Sequence, residues 1–113
     1  MLVLPQVTVW FRNRPTDLRL GFQGLSGLVH NEFHRTVKTG DLFVFVNKRR
    51  NAVRVLYADK TGLCLFAKKP FQGRFPNLWS DPQQGPTALK MTVQELTLFL
   101  ASPKARQSRS SMC

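Results

Sequence analysis

The sequence predicts an α+β domain in which an antiparallel meander of four to five strands packs with two helices, in the order β-α-β-β-β-(β)-α. Three apolar runs of strand length, 41–46, 52–58 and 63–68, are separated by short polar turns, which is typical of antiparallel hairpins. One segment with apolar residues at helical spacing precedes these runs and another follows them. The length of 113 residues fits one domain, which we expect to span residues 1–102.

The first strand and first helix are predicted from the residues 7–33. Val7–Arg12 is β-branched and aromatic, as in a strand. Thr16 or Asp17 is suited to cap a helix of about residues 17–33, because a side-chain oxygen there accepts an unpaired backbone N–H. Glycines inside a helix cost roughly 1 kcal/mol each relative to alanine. We therefore expect three of them either to pack closely on the sheet or to admit a phosphate backbone: Gly21, Gly24 and Gly27.

The hairpin between the second and third strands is expected to have a three-residue loop, Lys48–Arg50. This loop would pair Val46 with Ala52 and Phe43 with Val55. One face of the sheet would then carry Phe43, Phe45, Val53, Val55, Tyr57, Cys64 and Phe66. The other would carry Leu42, Val44, Leu56, Leu63 and Leu65. Because both faces are apolar, we expect helices to cover both, or one face to meet another chain.

The C-terminal third begins with a proline-rich loop, Pro70–Thr87, of a length that is usually functional or disordered. Ala88–Met91 is predicted as a short strand. Thr92 and Glu95 form the pattern of a capping box, which begins the second helix, and Pro103 ends it. Residues 103–113 are expected to be a flexible basic tail.

The composition is strongly basic, with 17 Lys and Arg against 6 Asp and Glu and a net charge of +11. Such a charge favours a polyanionic partner. No apolar run approaches the ~18 residues of a membrane-spanning helix, and Met1–Pro5 lacks the basic region of a signal peptide, so we expect no membrane partner. Cys64 is expected to be a buried thiol and Cys113 an exposed one, which fits a reducing cytoplasm.

The cations concentrate in the middle of the chain, where only Asp59 opposes them. A cationic β-ribbon fits the major groove of DNA, and each phosphate that it neutralises releases counterions. We expect the following residues to contact nucleic acid: Lys48, Arg49, Arg50, Arg54, Lys68, Lys69 and Arg74. The nearby aromatics either stack on unpaired bases or, as we favour, anchor the loop to the core: Phe71, Phe75 and Trp79.

The sequence offers only weak candidates for a catalytic site. None of the six carboxylates forms a close pair in the sequence, and no Ser or Cys has an evident base beside it. His30 and His34 have a spacing that allows a shared metal, but Asn31 stands where a metalloprotease motif needs Glu. We therefore expect no enzyme, no metal and no cofactor, and a metal-dependent nuclease ranks last among the possible functions.

Three segments in series carry a family resemblance: Thr16–Leu25, Asp41–Arg50, and Gly62–Lys69 followed by Gly73-Arg74-Phe75. Over about residues 7–100 the chain resembles the small accessory proteins of bacterial insertion-sequence family 66, of the transposition protein B type. That family is distinct from the RNA-guided nuclease that shares the label. The positions that match its pattern are Asp17, Arg19, Gly24, Lys48, Arg49, Lys68, Gly73 and Phe75. Departures from it include Ala58, Pro70-Phe71 and the basic C-terminus.

The resemblance implies a non-catalytic protein that works beside a separate transposase and assists transposition of its element. Combined with the charge, it predicts DNA binding, with the element ends as the target and the bacterial nucleoid as the place of action. Homo-oligomerisation is an open possibility. Two alternatives stay open: an adaptor that docks on the transposase without touching DNA, and an RNA-binding module that stacks bases on loop aromatics.

Overall fold

The computed structural model describes residues 7–38, 40–79 and 87–104. These residues form five strands and two α-helices, with a 3-10 turn at Leu18–Leu20 before the first helix. In chain order the elements are β1 (Thr8–Arg12), α1 (Gly21–Glu32), β2 (Asp41–Val46), β3 (Val53–Ala58), β4 (Leu63–Lys68), β5 (Ala88–Met91) and α2 (Val93–Leu100). The α+β class and the element order are as predicted.

The five strands form one mixed sheet in the order β4-β3-β2-β1-β5. The pairs β2–β3, β3–β4 and β1–β5 are antiparallel, as a meander predicts. The pair β1–β2 is parallel, from Thr8 opposite Asp41 to Phe11 opposite Val44, which corrects the expectation of a purely antiparallel sheet. The helix α1 connects these two strands, and a helical crossover allows neighbouring strands to run in the same direction.

The register of the β2–β3 hairpin differs by one residue from the prediction, because Val46 pairs with Val53 and Phe43 with Leu56. The loop has four residues rather than three. The Asn47 side-chain oxygen accepts the N–H groups of Asn51 (2.9 Å) and Ala52 (3.1 Å) and holds the wider loop closed. A slip of one residue moves side chains to the opposite face. The predicted face assignments of β3 relative to β2 are therefore reversed.

Helices cover both faces of the sheet, which confirms one of the two expectations for its apolar faces. The face under α1 has a buried core of Leu25, Val29, Phe33, Phe43, Phe45 and Leu56. The face under α2 has a second core, of Val9, Phe11, Val44, Val46, Val53, Val55, Phe75, Leu96 and Phe99. The edge strand β4 is more open: Cys64 is half-buried rather than buried, and its thiol donates to Asp59 Oδ2 at 3.5 Å. Cys113 lies outside the described residues.

The start of α1 lies at Gly21 and not at residue 17, because Asp17 caps the preceding 3-10 turn. Gly21 has a φ of +67°, which a residue with a Cβ adopts only with strain. A Cβ on Gly24 would lie 2.5 Å from Leu20 Cβ. The close packing of Gly24 is therefore against the 3-10 turn rather than the sheet. A Cβ on Gly27 would meet open space, so close packing is not the reason for this glycine.

The second helix begins with the predicted capping box. Thr92 Oγ1 accepts the Glu95 N–H at 3.0 Å, and Glu95 Oε1 accepts the Thr92 N–H at 2.9 Å. Beyond α2 the backbone of Lys104 pairs with that of Arg74, through two hydrogen bonds of 2.9 Å. Residues 80–86 of the predicted loop and 105–113 of the predicted tail lie outside the described residues. No helix in the described ranges is long and apolar enough to span a membrane.

Candidate nucleic-acid interface

The topology brings the basic residues to one end of the sheet. Strands β1 and β2 are parallel, so both end there; β3 begins there and β4 ends there. The turns and loops that follow these ends carry the cations. We call this region the basic end, and it comprises Arg19, Lys48, Arg49, Arg50, Arg54, Lys68, Lys69, Arg74 and Lys104. All seven of the predicted contact residues belong to it.

Within the described ranges, the carboxylates lie mainly away from the basic end or are paired with an arginine. Asp41 begins β2 and Asp59 lies in the β3–β4 turn, so both are at the opposite end of the strands. Glu32 accepts two hydrogen bonds from Arg12 Nη2, at 2.7 and 2.9 Å, and the pair is mostly buried. Asp17 is paired with Arg19. The exposed cations of the basic end therefore keep their positive field.

The seven predicted contact residues fall into two groups. The side chains of Lys48, Arg49, Lys69 and Arg74 are exposed. The other three are half-buried, and each donates to a backbone carbonyl: Arg50 to Phe75 at 2.8 Å, Arg54 to Val53 at 3.3 Å and Lys68 to Leu100 at 2.7 Å. The second group therefore supports the local structure as well as contributing charge.

Two cavities open between these residues. One of about 530 Å³ is lined by Arg50, Arg74 and Lys104 together with Phe75 and Pro76. A second cavity, of about 490 Å³, lies between the β2–β3 loop and the 3-10 turn. Its charged lining residues are Asp17, Arg19, Lys48, Arg49 and Arg54. Both have the size and charge to receive a phosphate group.

Asp17 and Arg19 form a paired unit at the rim of the second cavity. Arg19 donates to Asp17 from Nε (3.0 Å), from Nη2 (2.9 Å) and from its backbone N–H (3.0 Å). The side-chain hydrogen bonds first, and the backbone bond second, lower the pKa of Asp17 from 3.8 to about 2. The carboxylate is therefore charged at neutral pH and fixes the direction of the Arg19 guanidinium.

The loop after β4 is tied to the tip of the β2–β3 hairpin. Gly73 has a φ of +83°, which allows the chain to turn back toward the sheet. The Phe75 N–H then donates to the Arg50 carbonyl at 2.7 Å, while Arg50 Nη1 donates to the Phe75 carbonyl at 2.8 Å. Arg50 itself has a φ of +57°. Arg50 is consequently a link between the hairpin and the loop after β4, and its guanidinium is already hydrogen-bonded within the protein.

The three loop aromatics have different environments. Phe75 is fully buried and stacks on Phe99, with ring centroids 5.2 Å apart. Trp79 packs against the same core. The favoured anchoring role is thus confirmed for these two side chains. It is wrong for Phe71, which is fully exposed to solvent.

Two members of the basic end, Arg19 and Lys104, were not among the predicted nucleic-acid contacts. Lys104 lies beside Arg74 through a backbone pairing that joins positions far apart in the chain, and no local pattern signals it. Arg19 was identified by the family resemblance alone. It lines the second cavity because the parallel pairing of β1 and β2 places the 3-10 turn beside the β2–β3 loop.

His30 and His34, whose spacing would allow a shared metal, are both exposed. In the described part of the chain no three His, Cys, Asp or Glu side chains group as metal ligands.

Comparison with known proteins gives one family and two similar curated proteins. The family model described as "IS66 Orf2 like protein" matches residues 7–110. The chain is 34% identical over 95 residues to "Uncharacterized protein y4hO" of Sinorhizobium fredii (strain NBRC 101917 / NGR234), covering 84% of this chain and 79% of that protein. It is also 34% identical over 88 residues to "Uncharacterized protein y4jC" of the same strain, covering 78% and 72%. No solved structure matches.

Proposed function

The chain belongs to the IS66 Orf2-like family of transposition-associated accessory proteins, and from that premise we propose that it binds the DNA of its element through the basic end. The target is the element ends, alone or within the complex that the transposase forms on them. The protein carries no reaction of its own in this proposal. Its place of action is the bacterial cytoplasm, at the nucleoid.

The observation that supports this proposal most is the collection of cations at one end of the sheet. Lys48, Arg49, Lys69 and Arg74 are exposed there, whereas Asp41 and Asp59 lie at the other end. A surface with this asymmetry attracts the phosphate backbone and orients the protein on it. The half-buried cations keep the hairpin and loop in place beside the exposed ones.

The test is fluorescence anisotropy with labelled duplex DNA across a salt series, using an element end and a scrambled duplex. The double variant Lys48→Ala/Arg49→Ala should reduce the slope of log K against log salt by about 1.8, because each neutralised phosphate contributes roughly 0.9. The matched control is Lys60→Ala/Lys90→Ala, which removes the same charge from exposed sites outside the basic end. An equal fall in slope for both variants would show that only net charge matters and would refute the assigned surface.

A protein-docking function is the second candidate, because an apolar groove lies beside the edge strand β4. The groove has a volume of about 300 Å³ and is lined by Leu42, Val55, Tyr57, Phe66, Leu96 and Leu100. Phe66 is 42% exposed although it lies in a strand. If the transposase docks here, its capture should survive high salt and nuclease treatment and be lost in Phe66→Ser. Capture that requires DNA would favour the first candidate.

A further inference from the structure

We propose that Phe71 stacks on an unpaired DNA base, so that the protein binds DNA containing unpaired bases more tightly than fully paired duplex. This inference rests on the DNA binding proposed above and deepens it. The ligand is a nucleotide whose base has left the helical stack. Its ring would lie on the Phe71 ring and its phosphate would lie on the neighbouring lysine.

Phe71 is the most exposed phenylalanine of the chain, at 108%, compared with 47% for Phe22 and 42% for Phe66. The other six phenylalanines are buried in the two cores, and Phe71 contributes to neither. Both faces of its ring are therefore free for a flat partner. A ring held in water adds no buried area to either core, and its flat face stays available to a partner.

The surroundings of Phe71 favour a nucleotide over an apolar partner. A cavity of about 320 Å³ is lined by Lys68, Lys69, Pro70, Phe71, Gln72 and Pro103. The Lys68 ammonium is held by the Leu100 carbonyl, whereas Lys69 is exposed. The apolar groove described above is lined by different residues. A ring beside an exposed ammonium matches the ring and phosphate of one nucleotide, and aromatic side chains among cations are how proteins hold single strands.

The ring cannot reach bases inside intact duplex, because their faces are covered by the adjacent base pairs. The inference therefore makes a distinction that charge alone does not make. Phosphate contacts by Lys48, Arg49 and Arg74 act on paired and unpaired DNA alike. Contact by Phe71 acts only where a base is free. The proposed preference should consequently depend on one side chain and be insensitive to the removal of cations elsewhere.

The experiment compares full-length wild type and Phe71→Ala on a fully paired duplex and on the same duplex with a single-stranded extension, at one salt concentration. We expect Phe71→Ala to lose about five-fold to about 150-fold in affinity for the extended DNA, which corresponds to one stacked base. Its affinity for the paired duplex should change less than about two-fold, since the phosphate contacts remain. The control Leu63→Ala removes an exposed apolar side chain at the opposite end of β4 and should change neither affinity.

A second variant gives a direct optical signal. Phe71→Trp should retain the preference, and its added tryptophan fluorescence should be quenched by the extended DNA and not by the paired duplex. Equal affinity of wild type and Phe71→Ala for the extended DNA would overturn the stacking inference while leaving DNA binding intact. Absence of binding to any DNA by wild type would overturn the proposed function itself. Tighter, Phe71-dependent binding to an RNA strand of the same sequence would overturn the assignment to DNA.

Discussion

The adjacent lysines Lys68 and Lys69 should have separable roles, and exchanging each for methionine tests this. Lys68 Nζ donates to the Leu100 carbonyl at 2.7 Å, at the C-terminal end of α2. A hydrogen bond from a charged group contributes about 1.5–3 kcal/mol, and a cation at a helix C-terminus about 0.3–1 kcal/mol. Because Lys68 is only half-buried, we expect the lower part of this range, and a loss of about 1–2 kcal/mol in Lys68→Met. Methionine retains the apolar stem, so packing is preserved.

For a domain of this size that loss lowers the melting temperature by about 4–8 °C. Lys69 is exposed, so Lys69→Met should leave the melting temperature unchanged and reduce the salt slope of DNA binding by about 0.9. Thermal unfolding followed by circular dichroism and anisotropy on duplex DNA measure the two effects separately. The reasoning fails if the two variants lose equal stability, or if Lys68→Met changes the salt slope and not the melting temperature.

Three further predictions concern stability. Glu32→Gln removes the charge that faces the buried Arg12 guanidinium, and it should lower the free energy of unfolding in urea by about 1–3 kcal/mol. Gly21→Ala forces alanine to a φ of +67° and a ψ of -165°, a region essentially restricted to glycine, and should cost about 1–3 kcal/mol. Gly27→Ala has open space inside the helix and should stabilise by up to about 1 kcal/mol. Asp17 has a pKa lowered to about 2, so its stabilising contribution should be complete above pH 4 and disappear as the pH falls through 2. The difference between wild type and Asp17→Asn in acid unfolding measures it.

Each of these expectations has a contrary outcome. Equal stability of Glu32→Gln and wild type would mean that the Arg12 pair contributes nothing net. Equal effects of the two glycine substitutions would remove the distinction between a strained position and an open one. An acid-unfolding difference for Asp17→Asn that persists below pH 2 would show that the hydrogen bonds from Arg19 are not its source.

Features that depend on nearby residues were predictable from the sequence. The strand Asp41–Val46 and the capping box at Thr92 follow from local chemistry, and both are present as expected. The register of the hairpin was not predictable from apolar alternation alone. It depends on the Asn47 side chain, which accepts two backbone N–H groups across the loop, and on the positive φ of Arg50. The parallel pairing of β1 with β2 depends on how α1 crosses the sheet, and no local sequence pattern predicts that crossing.

The candidate site was predictable in its charge and less so in its construction. A cationic stretch of sequence indicates where charge is dense. It does not show which ammonium or guanidinium groups are already hydrogen-bonded within the protein. Lys68 and Arg50 bind carbonyls that come from α2 and from the loop. Likewise, composition cannot distinguish Phe71 from Phe75, four positions apart, because the turn at Gly73 sends one into the core and leaves the other outside.

The pairing of Arg74 with Lys104 has a consequence for the order of assembly. It closes a long loop, and the entropy of closing about thirty residues costs roughly 3 kcal/mol. Two backbone hydrogen bonds return about 1 kcal/mol each, which is less than that cost. The pairing therefore forms only after α2 and Phe75 have docked. During synthesis on the ribosome the strands β1–β4 can pair early, while the cavity of Arg50, Arg74 and Lys104 is completed only after β5 and α2 have been made.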